Sequence, residues 1–138
     1  MTPIEAGTLV PEFSSDGGTT WKTLVCVDNW TFNGESSTSE SVTFCGTYVA
    51  AGSNKSTGSA SAMSETAPTV SQLSHKDALD FWHNKTALKF RATAGTAGAD
   101  FYVEGDSTIT SYTFKSEAQN VCFFDIAWTI NNLIIEPA

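Results

Sequence analysis

Residues Cys122 to Asn131 read CFFDIAWTIN, and this stretch alternates without a break. On an extended chain Cys122, Phe124, Ile126, Trp128 and Ile130 share one side, while Phe123, Asp125, Ala127, Thr129 and Asn131 share the other. A helix would scatter both sets around its circumference. Strict period-two patterning over this length requires a strand with one face in a core and one toward water, and that arrangement belongs to antiparallel sheets.

Shorter segments repeat the pattern. In TALKFRA, Leu88 and Phe90 oppose Lys89 and Arg91; in DFYVEG, Phe101 and Val103 oppose Asp100, Tyr102 and Glu104; in STITSYTFKSE, Tyr112 and Phe114 oppose Thr113, Lys115 and Glu117. Upstream, the β-branched and aromatic run Thr20 to Asn33 predicts one long strand, or two with a bend at Asp28-Asn29. The polar GESSTSES is expected to be a loop before a further strand from Val42 to Val49. The period changes only once. Over residues 74–84 Ala78, Leu79 and Trp82 fall at helical spacing, and Ser74 with Asp77 three residues later forms a capping-box pattern. The expected fold is mainly β: a two-sheet antiparallel sandwich or partial barrel of seven or eight strands, flanked by one short helix.

Two segments do not fit a packed domain. Residues 1–20, with Pro3, Pro11 and the turn signal Asp16-Gly17-Gly18, read as an extended N-terminal arm. Residues 51–68, AGSNKSTGSASAMSETAP, contain no apolar side chain larger than Met63 and have the composition of a linker. This strip reads as a flexible loop inside a single domain spanning 1–138.

Charge and chemistry narrow the function. Seven Lys and Arg stand against 15 Asp and Glu, a net charge of −8, so the chain is built to repel rather than grip a phosphate backbone. Cys26, Cys45 and Cys122 are odd in number and widely spaced; they read as buried free thiols of a reducing compartment, neither a disulfide framework nor a metal site. The first residues lack a basic stretch leading into an apolar core, and no apolar run approaches membrane-spanning length. His75 and His83 are too far apart on the helix to share a metal and read as surface side chains. Glu104 and Asp106 flank a glycine in an expected turn, and the glycines at 95 and 98 open no helix. No nucleophile, base and orienting group can be assembled. The chain is therefore expected not to be an enzyme and to need no cofactor. Trp82 and Trp128 are expected in the core. Trp21 and Trp30 keep open an alternative, a carbohydrate-binding or adhesion β-sandwich.

The order of elements carries a resemblance. A polar arm leads into DGGTTWKTLVCV; a Ser/Thr-rich stretch with VTF, a Gly/Ser/Ala strip and a single helix follow; the chain then closes with FYVEGDSTITSYTFKSEAQNVCFFDIAWTI. From about Gly17 to Ile130 it resembles the tail tube (major tail) proteins of long-tailed phages with non-contractile tails. It departs from them at Ile130–Asn132, where INN replaces a common glycine near the end of the last strand. The resemblance implies a non-catalytic subunit. Six copies would form a ring around a β-barrel lumen, and rings would stack into a conduit through which double-stranded DNA passes without specific binding. It also implies partners among other tail proteins (tape measure, tail terminator, distal tail), no membrane, and a place in the virion tail after assembly in the host cytoplasm. Contacts between subunits and rings are expected at Asp16, Gly52, Asn54, Lys55, Gly58, Met63 and Glu65. The polar faces of the late strands, Thr113, Lys115 and Glu117 with Asp125, Thr129 and Asn131, are expected to line the lumen. On this reading the acidic balance keeps the polyanion off the wall.

Overall fold

The computed structural model describes residues 3–4, 9–43, 45–66, 68–95, 98–116, 118 and 121–136, with backbone course alone over 38–43 and 47–53. Among these residues seven strands and one helix follow in the order β1 (Glu12–Ser14), β2 (Lys22–Thr23), β3 (Val27–Thr43), β4 (Gly46–Met63), α1 (His75–Asn84), β5 (Leu88–Ala94), β6 (Phe101–Lys115) and β7 (Phe123–Ile134). This is the expected mainly-β chain with one short helix. The strands join in one antiparallel sheet of order β2-β1-β5-β6-β7-β4-β3.

The sheet is rolled. Phe13 on β1 and Trp128 on β7 lie three strands apart, about 14 Å on a flat sheet. Their ring centroids are 5.0 Å apart and edge-on. Trp30 on β3, four strands from β5, comes within 6.5 Å of Phe90. The two layers expected of a sandwich are thus one curled ladder, continuous through β6. Strand β5 pairs with Phe101–Ser107 of β6, and β7 runs along its Glu104–Lys115 stretch. Between the layers lie Phe13, Leu24, Leu73, Phe90, Phe124 and Trp128, all essentially inaccessible.

Every inward residue foreseen in the closing strand is in the core except Cys122: Phe124, Ile126, Trp128 and Ile130 are buried, and Cys122 is half-buried. The helix also forms as its pattern requires. Ser74 Oγ accepts from the Asp77 amide at 3.1 Å, and the Asp77 carboxylate accepts from the Ser74 amide at 3.3 Å. Lys85 ends α1 in the left-handed region at φ 52°. The helix packs on β6, where the Tyr112 hydroxyl donates to the His75 carbonyl at 3.1 Å.

Several expectations are corrected. The strip 51–68 is not a loop; its first thirteen residues belong to β4, which is hydrogen-bonded on both sides from Ser56 to Met63. Its inward positions are Gly58, Ala60 and Ala62, small because large rings stand opposite them: a Cβ on Gly58 would lie 2.5 Å from Trp128 Cζ2. GESSTSES is likewise not a loop but the middle of β3. Glu104 and Asp106 sit in mid-strand, with Gly105 between them pressed against Ile130 and the Asn131 carbonyl. The arm 1–20 contributes β1 to the sheet. Cys26 and Cys45 are exposed, because one stands at the bend before β3 and the other at the hairpin turn. His75 is half-buried against the rings of Phe114 and Phe124. Trp82 is 40% exposed, since the helix turns Ala78 inward and leaves the indole outside.

Candidate assembly interface

Three features of the sheet remain incomplete within the chain. The first is a ribbon. Strand β4 meets β7 only over Ser56–Met63, so residues 46–55 have β3 as their one strand partner, in register from Ser36↔Asn54 to Thr43↔Gly46. At about 3.4 Å per residue this hairpin runs roughly 30 Å past the sheet. A two-stranded ribbon is marginal in water on its own, and this one is rich in Ser, Thr, Gly and Asn.

The second is a pair of unequal edges. At one end of the sheet β2 is two residues long and is closed by a bridge from Thr23 to Gln72. At the other end β3 offers 17 residues with no strand outside it. An edge of that length is a pairing site unless something occupies it. A matching gap exists on β6. Because β5 begins at Leu88, opposite Ser107, residues 108–115 of β6 pair with β7 alone.

The third is a polar face. Register sets three rows across β3, β4, β7 and β6: Asn29-Ser61-Asp125-Thr113, Thr31-Ser59-Ala127-Ser111 and Asn33-Thr57-Thr129-Thr108. None of these side chains is buried. Bases on β6 and β5 are matched to acids: Lys115 Nζ lies 2.7 Å from Asp125, and Lys89 Nζ lies 3.1 Å from Asp106. Partial burial pushes the Asp125 carboxyl up, but hydrogen bonds from Lys115 and Ser61 outweigh it and hold it below the usual range. Asp106 is held low by hydrogen bonds from Asn132 and Lys89. Asn132 itself takes φ 54°, the left-handed conformation that glycine and asparagine tolerate.

The expected lumen residues Thr113, Lys115, Asp125, Thr129 and Asn131 therefore lie together on one face, and Glu117 lies outside the described residues. The expected contact residues separate. Gly52, Asn54 and Lys55 lie on the ribbon, whereas Gly58 is buried inside the subunit. The Met63 amide donates to the Cys26 carbonyl at 3.1 Å, and Glu65 accepts from the Cys26 thiol at 2.8 Å, so both serve as internal ties. Asp16 Oδ1 accepts from Ser14 Oγ at 2.7 Å and the Thr20 amide at 2.8 Å, locking the Gly17-Gly18 turn. The open β3 edge and the outer hairpin escaped sequence reasoning, because small and polar residues carry no apolar period to mark a strand.

Trp21 and Trp30, which kept the carbohydrate alternative open, offer little to a sugar. The Arg91 guanidinium stands 4.0 Å over the Trp21 ring, and Trp30 Nε1 donates to the Leu9 carbonyl at 2.8 Å. Among the described residues no group of three His, Cys, Asp or Glu is placed to hold a metal, and no helix is long and apolar enough to cross a membrane.

No family model matches this chain, and no curated protein matches it. Solved structures do. The fold is similar to that of a chain in the tail of an empty gene transfer agent particle, solved with C6 symmetry (TM-score 0.75, 12% identity, 96% of this chain and 98% of that one). It is similar to the SPP1 tail tube protein (TM-score 0.72, 14% identity, 99% and 80%). A chain of the sheath-tube complex of an extracellular contractile injection system is also similar (TM-score 0.63, 13% identity, 99% and 93%).

Proposed function

We propose that this protein is a structural subunit of a phage-type tail tube, of the non-contractile kind, in which six copies close into a ring and rings stack around a channel for double-stranded DNA. The carrying observation is the unfinished sheet: a long open β3 edge, an open half of β6, and a ribbon that reaches past the fold. Strands β3 and β6 bound the layer β3-β4-β7-β6, and their open edges are antiparallel to one another, so the β3 of one copy can pair with residues 108–115 of the next. Such a contact uses different surfaces on its two sides, which is the kind that closes rings. The C6 symmetry of the gene transfer agent tail supports six as the number. The better fit to that chain and to SPP1 than to the contractile system supports the non-contractile assignment.

In the ring the hydroxyl rows line the lumen, with Thr113, Lys115, Asp125, Thr129 and Asn131 among them. The conduit resists adhesion because its bases are neutralised by adjacent acids and the rest is Ser, Thr and Asn, while the net charge of −8 adds long-range repulsion. The ribbon, with Gly52, Asn54 and Lys55, forms the joint to the next ring, and tape measure, terminator and distal tail proteins meet the ends of the tube in the virion. Electron microscopy of the purified chain across a concentration series tests the reading. Rings or tubes of uniform diameter are expected; a monomer at every concentration, also when mixed with its tail partners, refutes it.

A further inference from the structure

Behind the open edge of β3 lies an apolar groove of about 830 Å³, lined by Ile4, Leu9, Val27, Trp30, Phe32 and Phe101. It is continuous with the edge, since Val27, Trp30 and Phe32 belong to β3 itself. A second apolar surface stands beside the other open strand. Helix α1 sits over the half of β6 that β5 leaves unpaired. There Leu79 is 41% exposed, Trp82 40% and Phe114 46%. Large apolar side chains left exposed beside an unpaired strand mark an interface.

We propose that these two surfaces are halves of one contact: Leu79, Trp82 and Phe114 of one copy cover the groove behind β3 of the next. The inference rests on the ring reading above and adds a second layer to it. If β3 of one copy pairs with residues 108–115 of its neighbour, the apolar side of β3 continues into the apolar side of that β6. On that side the neighbour presents Phe114, with α1 above it. The groove is then roofed by the neighbour's helix. The contact is two-layered, with backbone hydrogen bonds toward the lumen and apolar burial toward the outside. Strand pairing alone would leave the groove wet and the register free to slip, because hydroxyl rows specify register weakly. Trp82 is the anchor, since a large ring seated in a pocket carries much of the energy of such contacts.

Trp82→Glu and Leu79→Glu test this on the full chain. Both side chains are exposed, so the monomer is expected to keep its unfolding midpoint; assembly, followed by sedimentation, is expected to need a roughly tenfold or higher concentration. A cysteine pair gives an independent readout. Equal amounts of Trp82→Cys and Phe32→Cys chains, oxidised during assembly, are expected to yield cross-linked dimers containing one chain of each kind. Tubes that form at the wild-type concentration in Trp82→Glu, with no mixed dimer, overturn the helix-to-groove contact and leave the ring reading intact. A wild-type chain that never assembles removes both.

Discussion

Gly58 on β4 lies flat beneath the indole of Trp128 on β7, so close that a single added carbon would stand 2.5 Å from Cζ2 and 2.6 Å from Nε1. The two are direct partners in the ladder, and Trp128 in turn meets Phe13 and Phe90. The small residue is what lets three rings share the centre of the rolled sheet. Gly58→Ala is therefore expected to destabilise the subunit by about 2–3 kcal/mol, since a close-packed interior has nowhere to move the indole. Gly34→Ala is the matched control: nothing lies within 4 Å of its added carbon, and urea unfolding is expected to show little change. Equal midpoints for the two variants would remove Trp128 packing as the reason for the glycine.

That pair also shows what could be read in advance. The closing strand was legible because Phe124, Ile126, Trp128 and Ile130 announce a buried face, and the helix because Ser74 and Asp77 cap a 3.6-residue pattern. Strand β4 was hidden because its inward face is Gly58, Ala60 and Ala62: alternation exists there, but in size rather than in hydropathy, and its meaning depends on rings 70 residues away. The outer hairpin was hidden for a different reason. Residues 34–41 and 50–54 are small or polar and carry no apolar period, and Val42 to Val49, expected as one strand, holds the turn between β3 and β4. Of the candidate site, the polar faces of the late strands were legible from period two. The open edges were not, because strand order is set by long-range pairing.

The turn after β1 carries a pH-sensitive tie. Hydrogen bonds from the Thr20 amide, Ser14 and Thr20 hold Asp16 at about 2, below its ordinary 3.8. A carboxyl depressed in the folded state contributes stability above the unfolded value and loses it as pH falls toward the folded one. Melting temperature is therefore expected to fall between pH 4 and pH 2 by more in the wild type than in Asp16→Asn, which should be lower at neutral pH and flatter in acid. Parallel acid limbs would show that the Asp16 bonds do not couple to folding.

If the hydroxyl rows face DNA, adding two cations to them should convert a slippery wall into a sticky one. Thr113→Lys with Thr129→Lys changes two positions that are not buried, and folding is expected to be nearly unaffected. Tubes grown in the presence of short duplex DNA should then retain it on sedimentation, and retention should fall steeply with added salt. Wild-type tubes should retain none. If the variant tubes also retain none while assembling normally, these rows face away from the channel.

The hairpin gives the sharpest separation between folding and assembly. Cutting it back between Ser36 and Asn54, which face each other in the register, and closing the ends with Asn-Gly keeps part of every strand and every buried residue among those described. The shortened chain is expected to fold with an unfolding midpoint close to that of the full chain, since a two-stranded ribbon in water adds little stability to the body that carries it. Ring closure, which uses the edges of β3 and β6, should survive; stacking should not. Electron micrographs would then show isolated rings where the full chain gives tubes. Tubes of undiminished length from the shortened chain would place the inter-ring joint elsewhere on the subunit. Loss of rings as well would mean that the ribbon spans two neighbours within a ring instead of reaching the next one.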